Sequence, residues 1–303
     1  MTIERTSRTR RDFFRDAATG FALAGAMGLD ARAQDAPTVP KTDMSRVVLV
    51  RHADAVDAEG KPNGEVLAQM LDDAVVALFD VEESMTAFKQ LFKPGDIVGI
   101  KTNVWRFLRT PVALEEALKM RVAEAGVAVE KIAIDDRGVR GNPIFQNATA
   151  LVNARPMRTH HWSGVGSLIK NYIMFDEKPY TWHKDGCADL AGVWELPAVK
   201  GKTRLCVLVM LTPLFHGKGP HHFQASYTWP YKGLIVGTDP VAVDATGLRI
   251  LVAKRRAHFG EDQPFAVSPK HIQVAQDKFR LGNADPDRIE LKTLGWKGDL
   301  LLG

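Results

Sequence analysis

Apolar and polar positions follow two rhythms after residue 44, and the switches between them predict the elements. Residues 47–50 form an apolar run short enough for a buried strand. Over residues 65–79, Val66, Leu67, Met70, Leu71, Val75 and Leu78 recur at the spacing of one helical face. Residues 84–92 predict a second helix, stopped by Pro94 and Gly95. Residues 96–101 and 127–134 read as strands, with a proline-started helix over 111–125 between them. A helix is predicted over 142–152, and short buried strands over 207–211 and 234–236. Thr238-Asp239-Pro240 is the strongest helix start in the chain, with Asp239 as N-cap, Pro240 at the first helical position and apolar residues as far as Val252. A helix over 269–279 and a strand over 289–291 complete the pattern.

Strands alternating with helices predict an α/β fold. The expectation is a single domain over 45–303 whose central sheet is mostly parallel or mixed and flanked by helices. Residues 154–232 break the rhythm. They are rich in His, Trp, Pro and Gly and read as a long irregular loop region, a kind of segment that usually carries function. Neither the Gly-x-Gly-x-x-Gly nor the Gly-x-x-x-x-Gly-Lys-Ser/Thr nucleotide cradle is present.

The N-terminus changes the picture of where the protein works. Arg10 and Arg11 precede Phe13, Phe14 and Arg15, a weakly apolar stretch over 17–29 follows, and Ala31-Arg32-Ala33 ends it. That layout is a twin-arginine export signal with cleavage after Ala33, which implies the twin-arginine export machinery as a partner and a periplasmic or other extracytoplasmic location. The apolar stretch is shorter than the roughly 20 residues of a membrane-spanning helix, and no later segment reaches that length, so no stable membrane span is expected. Residues 34–44 form a polar, proline-bearing linker. The formal charge of +4 falls to about +2 once the six arginines and four acidic residues of 1–33 are removed. No basic block remains to bind nucleic acid. Cys187 and Cys206 are too few to hold an iron–sulfur cluster within one chain. They would be able to pair in an oxidising compartment, although Cys206 lies in an apolar run where a buried free thiol is the commoner outcome.

Candidate chemistry gathers at strand ends and in the irregular region. Lys101 and Asn103 end a predicted strand, where α/β sheets bind ligands, so they are candidates for holding an anion and for hydrogen bonding. A solvent-reaching lysine and a turn asparagine are the structural alternative. Asp135 and Asp136 end the next strand and suit either a hard cation or a cap. His160, His161, His183, His216, His221 and His222 cluster in 154–232, while His52, His258 and His271 lie outside it. Imidazoles serve as proton carriers or metal ligands, but none of these has a tight metal spacing. Asp244 interrupts an apolar run in the first turns after Asp239. It reads either as a charge favoured by the helix dipole or as an acid aimed into a site. Trp162, Trp182 and Trp229 look exposed.

Taken in order, Val98-Gly99-Ile100-Lys101-Thr102-Asn103, Arg158-Thr159-His160-His161, Ser167-Leu168-Ile169-Lys170-Asn171, His183, Gly219-Pro220, the run from Gly237 to Asp244, and Leu281-Gly282-Asn283-Ala284-Asp285 resemble the bacterial and archaeal family called domain of unknown function 362. The resemblance covers about residues 46–290. It implies one α/β domain with Lys101, Asn103, His160, Lys170, Asn171, His183, Asp239 and Asp244 as motif positions, and it implies no reaction. Some members resemble fusions with ferredoxin-type domains, a feature this chain has no cysteines to share. The chain departs from the family pattern at Arg158-x-His160, where lysine is the common first residue. It departs again at Tyr172-Ile173-Met174, where a hydrophobic–glycine turn is usual.

Two functions lead the expectations, ahead of a structural or assembly role suggested by the exposed-looking tryptophans. One is an exported enzyme acting on a small anionic molecule with help from a divalent metal. Lys101, Asn103 and Asn171 would bind the substrate, His160, His183 and Lys170 would carry the catalysis, and Asp239 and Asp244 would hold the metal. The other is a periplasmic binding or accessory protein of a redox or metal pathway, without turnover.

Overall fold

A computed structural model describes residues 44–302; the export motif at Arg10 and Arg11, the cleavage position after Ala33 and nearly all of the 34–44 linker lie outside the described residues. A mixed eight-stranded sheet organises the rest: β1 (Ser45–Arg51), β2 (Val98–Lys101), β3 (Ile132–Asp135), β4 (Ala150–His160), β5 (Gly164–Gly166), β6 (Thr203–Leu214), β7 (Gly233–Gly237) and β8 (Ile289–Gly295). The order across the sheet is β3-β2-β4-β6-β7-β1-β8, with β5 a short antiparallel partner of the end of β4. Strands β3, β2, β4 and β6 run parallel, as do β1 and β8, while β7 is antiparallel to both β6 and β1. The α/β expectation with a mixed sheet holds.

Side-chain alternation along the strands builds two apolar layers. On one face Val48, Val50, Ile100, Val152, Val207 and Val209 meet three helices, α1 (Gly64–Phe79), α2 (Ser84–Leu91) and α3 (Val112–Glu124). Each such fully buried side chain contributes about 1.5–3 kcal/mol. On the other face Val47, Leu49, Leu151, Met157 and Leu208 lie under α5 (Leu168–Asn171), α6 (Pro240–Phe259), α7 (His271–Asp277) and a run of short 3-10 turns over 172–195. Both cysteines are buried free thiols, in place of a disulfide. Among the described residues no helix is long and apolar enough to cross a membrane.

Asp239 does the capping its sequence context predicts: its carboxylate accepts hydrogen bonds from the Val241 and Ala242 N–H groups, at 2.8 and 3.1 Å. The same carboxylate also accepts from the Ser45 hydroxyl at 2.6 Å and the Asn283 N–H at 2.8 Å, which ties α6 to β1 and to the loop before β8. Gly282 makes that approach possible, because a Cβ there would lie 1.8 Å from Asp239 Oδ1.

Three expectations change. The helix predicted over 142–152 is a single turn, α4 (Pro143–Gln146), and the chain becomes strand at Ala150 because pairing of Val98 with Ala150 and of Ile100 with Val152 overrides helix propensity. The strand predicted over 127–134 begins only at Ile132, after the 3-10 turn Val129–Lys131. The irregular region is narrower than 154–232, since β4 and β6 extend into it from both sides. Trp229 is buried, unlike Trp162 and the half-buried Trp182.

Candidate functional site

Strand β2 lies between β3 and β4, so the connections leaving its neighbourhood diverge at its carboxyl end. That is where parallel sheets leave a crevice. The register places Lys101 beside Asp135 on one neighbour and beside Asn153 on the other. Lys101 and Asn153 therefore share the face covered by α5. Above them a cleft of about 210 Å³ is lined by Asn103, Asp136, Arg155, Arg158, His160 and Lys170, with Asn171, Trp105 and Pro220 completing its wall. Pro220 reaches the cleft because Gly219 packs against β4 with φ +69, where a Cβ would meet the Thr159 carbonyl oxygen at 2.2 Å.

The floor is a closed polar network. The Lys101 ammonium donates to Asp136 Oδ1 at 2.5 Å, to the Thr102 carbonyl at 2.8 Å and to Asn171 Oδ1 at 3.3 Å. The other Asp136 oxygen accepts the Val104 N–H at 3.0 Å. Asn171 donates to Asn153 Oδ1 at 2.8 Å, and Asn153 donates to the Leu168 carbonyl at 3.0 Å. Burial pushes Lys101 down to about 8 although Asp136 opposes it. Burial pushes Asp136 up, but the Lys101 charge and its hydrogen bonds outweigh that and hold the carboxyl below its ordinary range. Both are ionised at neutral pH, and the pair neutralises itself.

The wall is different. Arg155 and Arg158 are buried, and neither Arg155 Nε nor Arg158 Nε and Nη1 has a hydrogen-bond partner. Burial lowers both guanidinium pKa values, that of Arg155 to about 10. Arg158 lies over the Trp105 ring at 4.5 Å, a cation–π contact that leaves its N–H edge free. Asn103 Oδ1 is likewise buried without a donor. Lys170 touches no oxygen; its hydrogen-bond contact is Cys187 Sγ at 3.9 Å, and burial with the nearby arginines brings its pKa down to about 8. His160 accepts the Trp162 N–H at Nδ1. Burial, then Lys170 and Arg158, drive its pKa far down, so its ring stays neutral.

Asp244 sits beneath this wall with both carboxylate oxygens engaged: it takes the Ser167 hydroxyl at 2.6 Å and the Leu168 and Ile169 N–H groups at 2.9 Å each. Burial raises its pKa to about 6 against those hydrogen bonds. Its role in the structure is to pin the start of α5, and so to aim Lys170 and Asn171. Four buried cations thus face two buried carboxylates, one of which is spent on Lys101 and the other on backbone. Buried polar groups are normally satisfied, so the free guanidinium edges mark where an acceptor belongs.

The expected site residues therefore divide. Asn103, His160, Lys170 and Asn171 meet in one cleft, and Lys101 lies directly below it. His183 stands outside, behind the Trp162 ring at 4.0 Å. Burial, then Lys170, lower it to about 4. Asp239 and Asp244 do not fit a metal: each carboxylate is filled by hydrogen donors, Asp239 belongs to the α6 cap, and among the described residues no three His, Cys, Asp or Glu side chains gather as a metal set. Arg155, Asn153 and Trp105 are functional candidates that sequence reasoning missed. The available signal was three polar residues, Asn153, Arg155 and Arg158, in a stretch with strand neighbours on both sides.

Larger hollows lie elsewhere, among them one of about 370 Å³ at Phe107, Pro111 and Leu211 and one of about 530 Å³ at Asp57, Trp229 and Lys232. Neither is lined by a buried charged side chain. The smaller cleft has the convergent polar groups that define a site. Comparisons of the chain with protein-family models, with curated proteins and with solved structures find no match.

Proposed function

We propose that this protein is an exported enzyme that binds a small organic anion in the cleft above Lys101 and acts on it by proton transfer. The observation that carries the reading is the pair of buried guanidinium groups, Arg155 and Arg158: Arg155 Nη1 donates to the Ser167 carbonyl at 3.3 Å, but Arg155 Nε and Arg158 Nε and Nη1 meet no acceptor. An anionic oxygen about 4 Å from one such charge gains on the order of 4 kcal/mol at an effective dielectric of about 20. Exposed ion pairs contribute only about 0–1 kcal/mol. Asn103, with its Oδ1 unpaired, orients the ligand, the neutral His160 and Asn171 line the cleft, and Lys170 is the group able to exchange a proton with it. The carboxylates of Asp239 and Asp244 are occupied by hydrogen-bond donors of the fold and do not face the ligand.

The domain of unknown function 362 resemblance belongs to this reading. It is supported by the way Lys101, Asn103, His160, Lys170 and Asn171, drawn from three separate motif segments, come together. Export by the twin-arginine route is part of the same reading and rests on Arg10, Arg11 and the Ala33 site; Arg10→Lys with Arg11→Lys would keep the protein in the cytoplasm. For the site, a thermal-shift series with phosphate, sulfate, acetate and pyruvate tests binding. At least one anion is expected to raise the melting temperature of the full chain and to do so less in Arg158→Gln. Equal shifts in both proteins, or none in either, would overturn the reading.

A further inference from the structure

We infer that the anion is a 2-oxo acid, and that Lys170 Nζ bonds covalently to its carbonyl carbon as a Schiff base. The inference rests on the anion-binding reading above and adds to it the ligand class and the bond.

Two buried lysines serve the cleft, and only one is free to react. Lys101 is sealed below the floor by Asp136, Asn171 and the Thr102 carbonyl. Lys170 lines the cleft, is 4% exposed and has a thiol, not a carboxylate, as its neighbour. The turn that delivers this thiol runs Asp185-Gly186-Cys187 with φ values of 48, 60 and 65°. Left-handed backbone at two successive non-glycine positions around Gly186 is a costly way to place a side chain, and here it sets Sγ against the amine. A thiol accepts a weak hydrogen bond without fixing the charge, so it orients the amine and leaves its lone pair accessible on deprotonation.

The surroundings supply the second requirement, a neutral amine. Burial and the adjacent Arg155 and Arg158 charges favour the unprotonated form, and a lysine near 8 is roughly one-tenth neutral at pH 7. A desolvated lysine beside other cations is the general recipe for an imine-forming nucleophile. The same arginines supply the third requirement, a seat for a carboxylate. A 2-oxo acid carries carboxylate and ketone on adjacent carbons, so a carboxylate held on Arg158 and Arg155 presents the ketone to the one reactive amine of the cleft. The cleft volume of about 210 Å³ admits a molecule of a few carbons.

The step balances without an oxidant or reductant. The neutral Lys170 amine forms an N–C bond to the carbonyl carbon as the C–O π pair moves to oxygen, which takes a proton. That oxygen then leaves as water with a second proton, and the nitrogen keeps the third as a protonated imine. Overall, ammonium and ketone give iminium and water. The Lys170 ammonium supplies every proton the step needs, and His160 lines the same cleft with a ring that stays neutral.

The test is reductive trapping. The full chain is incubated with pyruvate and sodium cyanoborohydride, and peptides are mapped by mass spectrometry. Lys170 is expected to carry the reduced adduct at least ~10-fold above any other lysine, with acetone at equal concentration failing to label it and Lys170→Arg abolishing the adduct. Pyruvate that stabilises the protein thermally but labels surface lysines, or none, would overturn the Schiff base and leave the anion reading standing. Absence of both labelling and stabilisation would overturn both.

Discussion

Lys101 at the carboxyl end of β2 and Lys170 in α5 above it are both buried, and burial drives both toward about 8, yet they occupy opposite situations. Around Lys101 every charge is answered: Asp136 at 2.5 Å, backbone and Asn171 complete its coordination, and Asn153 ties the network to β4. Around Lys170 the neighbours are a thiol and two further cations, which leave Arg155 Nε and Arg158 Nε and Nη1 unpaired. The first region is a closed ion pair that fixes structure. The second is an excess of positive charge that the fold tolerates at a cost, and that a ligand's negative charge would offset. Burial of a charge therefore says little until its partners are counted.

The widest separation between the regions is expected on removing one charge from each. Asp136→Asn leaves the Lys101 ammonium buried without a counter-charge and should destabilise the fold by about 3–5 kcal/mol in urea unfolding. The Lys101→Met, Asp136→Leu double variant should recover most of that loss, and a double as unstable as the single would mean the network, not the charge, is what matters. Arg158→Gln should leave stability unchanged or raised, because it removes an unpaired charge, while anion affinity falls about 10- to 100-fold, or about 1.4–2.8 kcal/mol, by calorimetry.

A pH titration sharpens the same contrast. His271 is fully buried with neither ring nitrogen partnered, and burial followed by the Lys170 and Arg155 charges lowers it to about 3. A histidine whose folded pKa is depressed lets the unfolded state take up protons first, so stability is full above about 6.5 and falls with pH from there to the folded value. Between pH 6.5 and pH 5 His271 alone should account for about 2 kcal/mol of that loss. His271→Leu should flatten this acid limb; an unchanged limb would place the sensitivity elsewhere. The smallest effect is expected far from the cleft. Ser45→Ala removes one donor from Asp239 and should cost about 1 kcal/mol of stability without altering anion affinity.

How much of this was legible in the sequence depended on where polar residues fell. Helix α1 follows its apolar period because it packs one face on the sheet, α3 was announced by its proline start, and β7 reads as an unbroken apolar run because both its faces are buried. Asp239 and Pro240 announced α6 through local capping chemistry alone. Lys101, Asn103, Lys170 and Asn171 were readable as candidates because strand ends and motif segments carry them. Strand β4 was not readable: Asn153, Arg155, Pro156 and Arg158 interrupt it, and hydropathy reads such residues as exposed loop. Only pairing with β2 on one side and β6 on the other, with α5 above, buries them. Asp244 stood out correctly as an unusual charge, but whether it faced a metal or the N–H groups of α5 depended on a contact 76 residues away in sequence.

Calorimetric titration of the full chain with pyruvate, repeated on Arg158→Gln, tests the central claim most directly. The account predicts saturable binding at one site in the unaltered protein and at least ~10-fold weaker binding in the variant. No binding to the unaltered folded protein, or equal affinity in both, would contradict it.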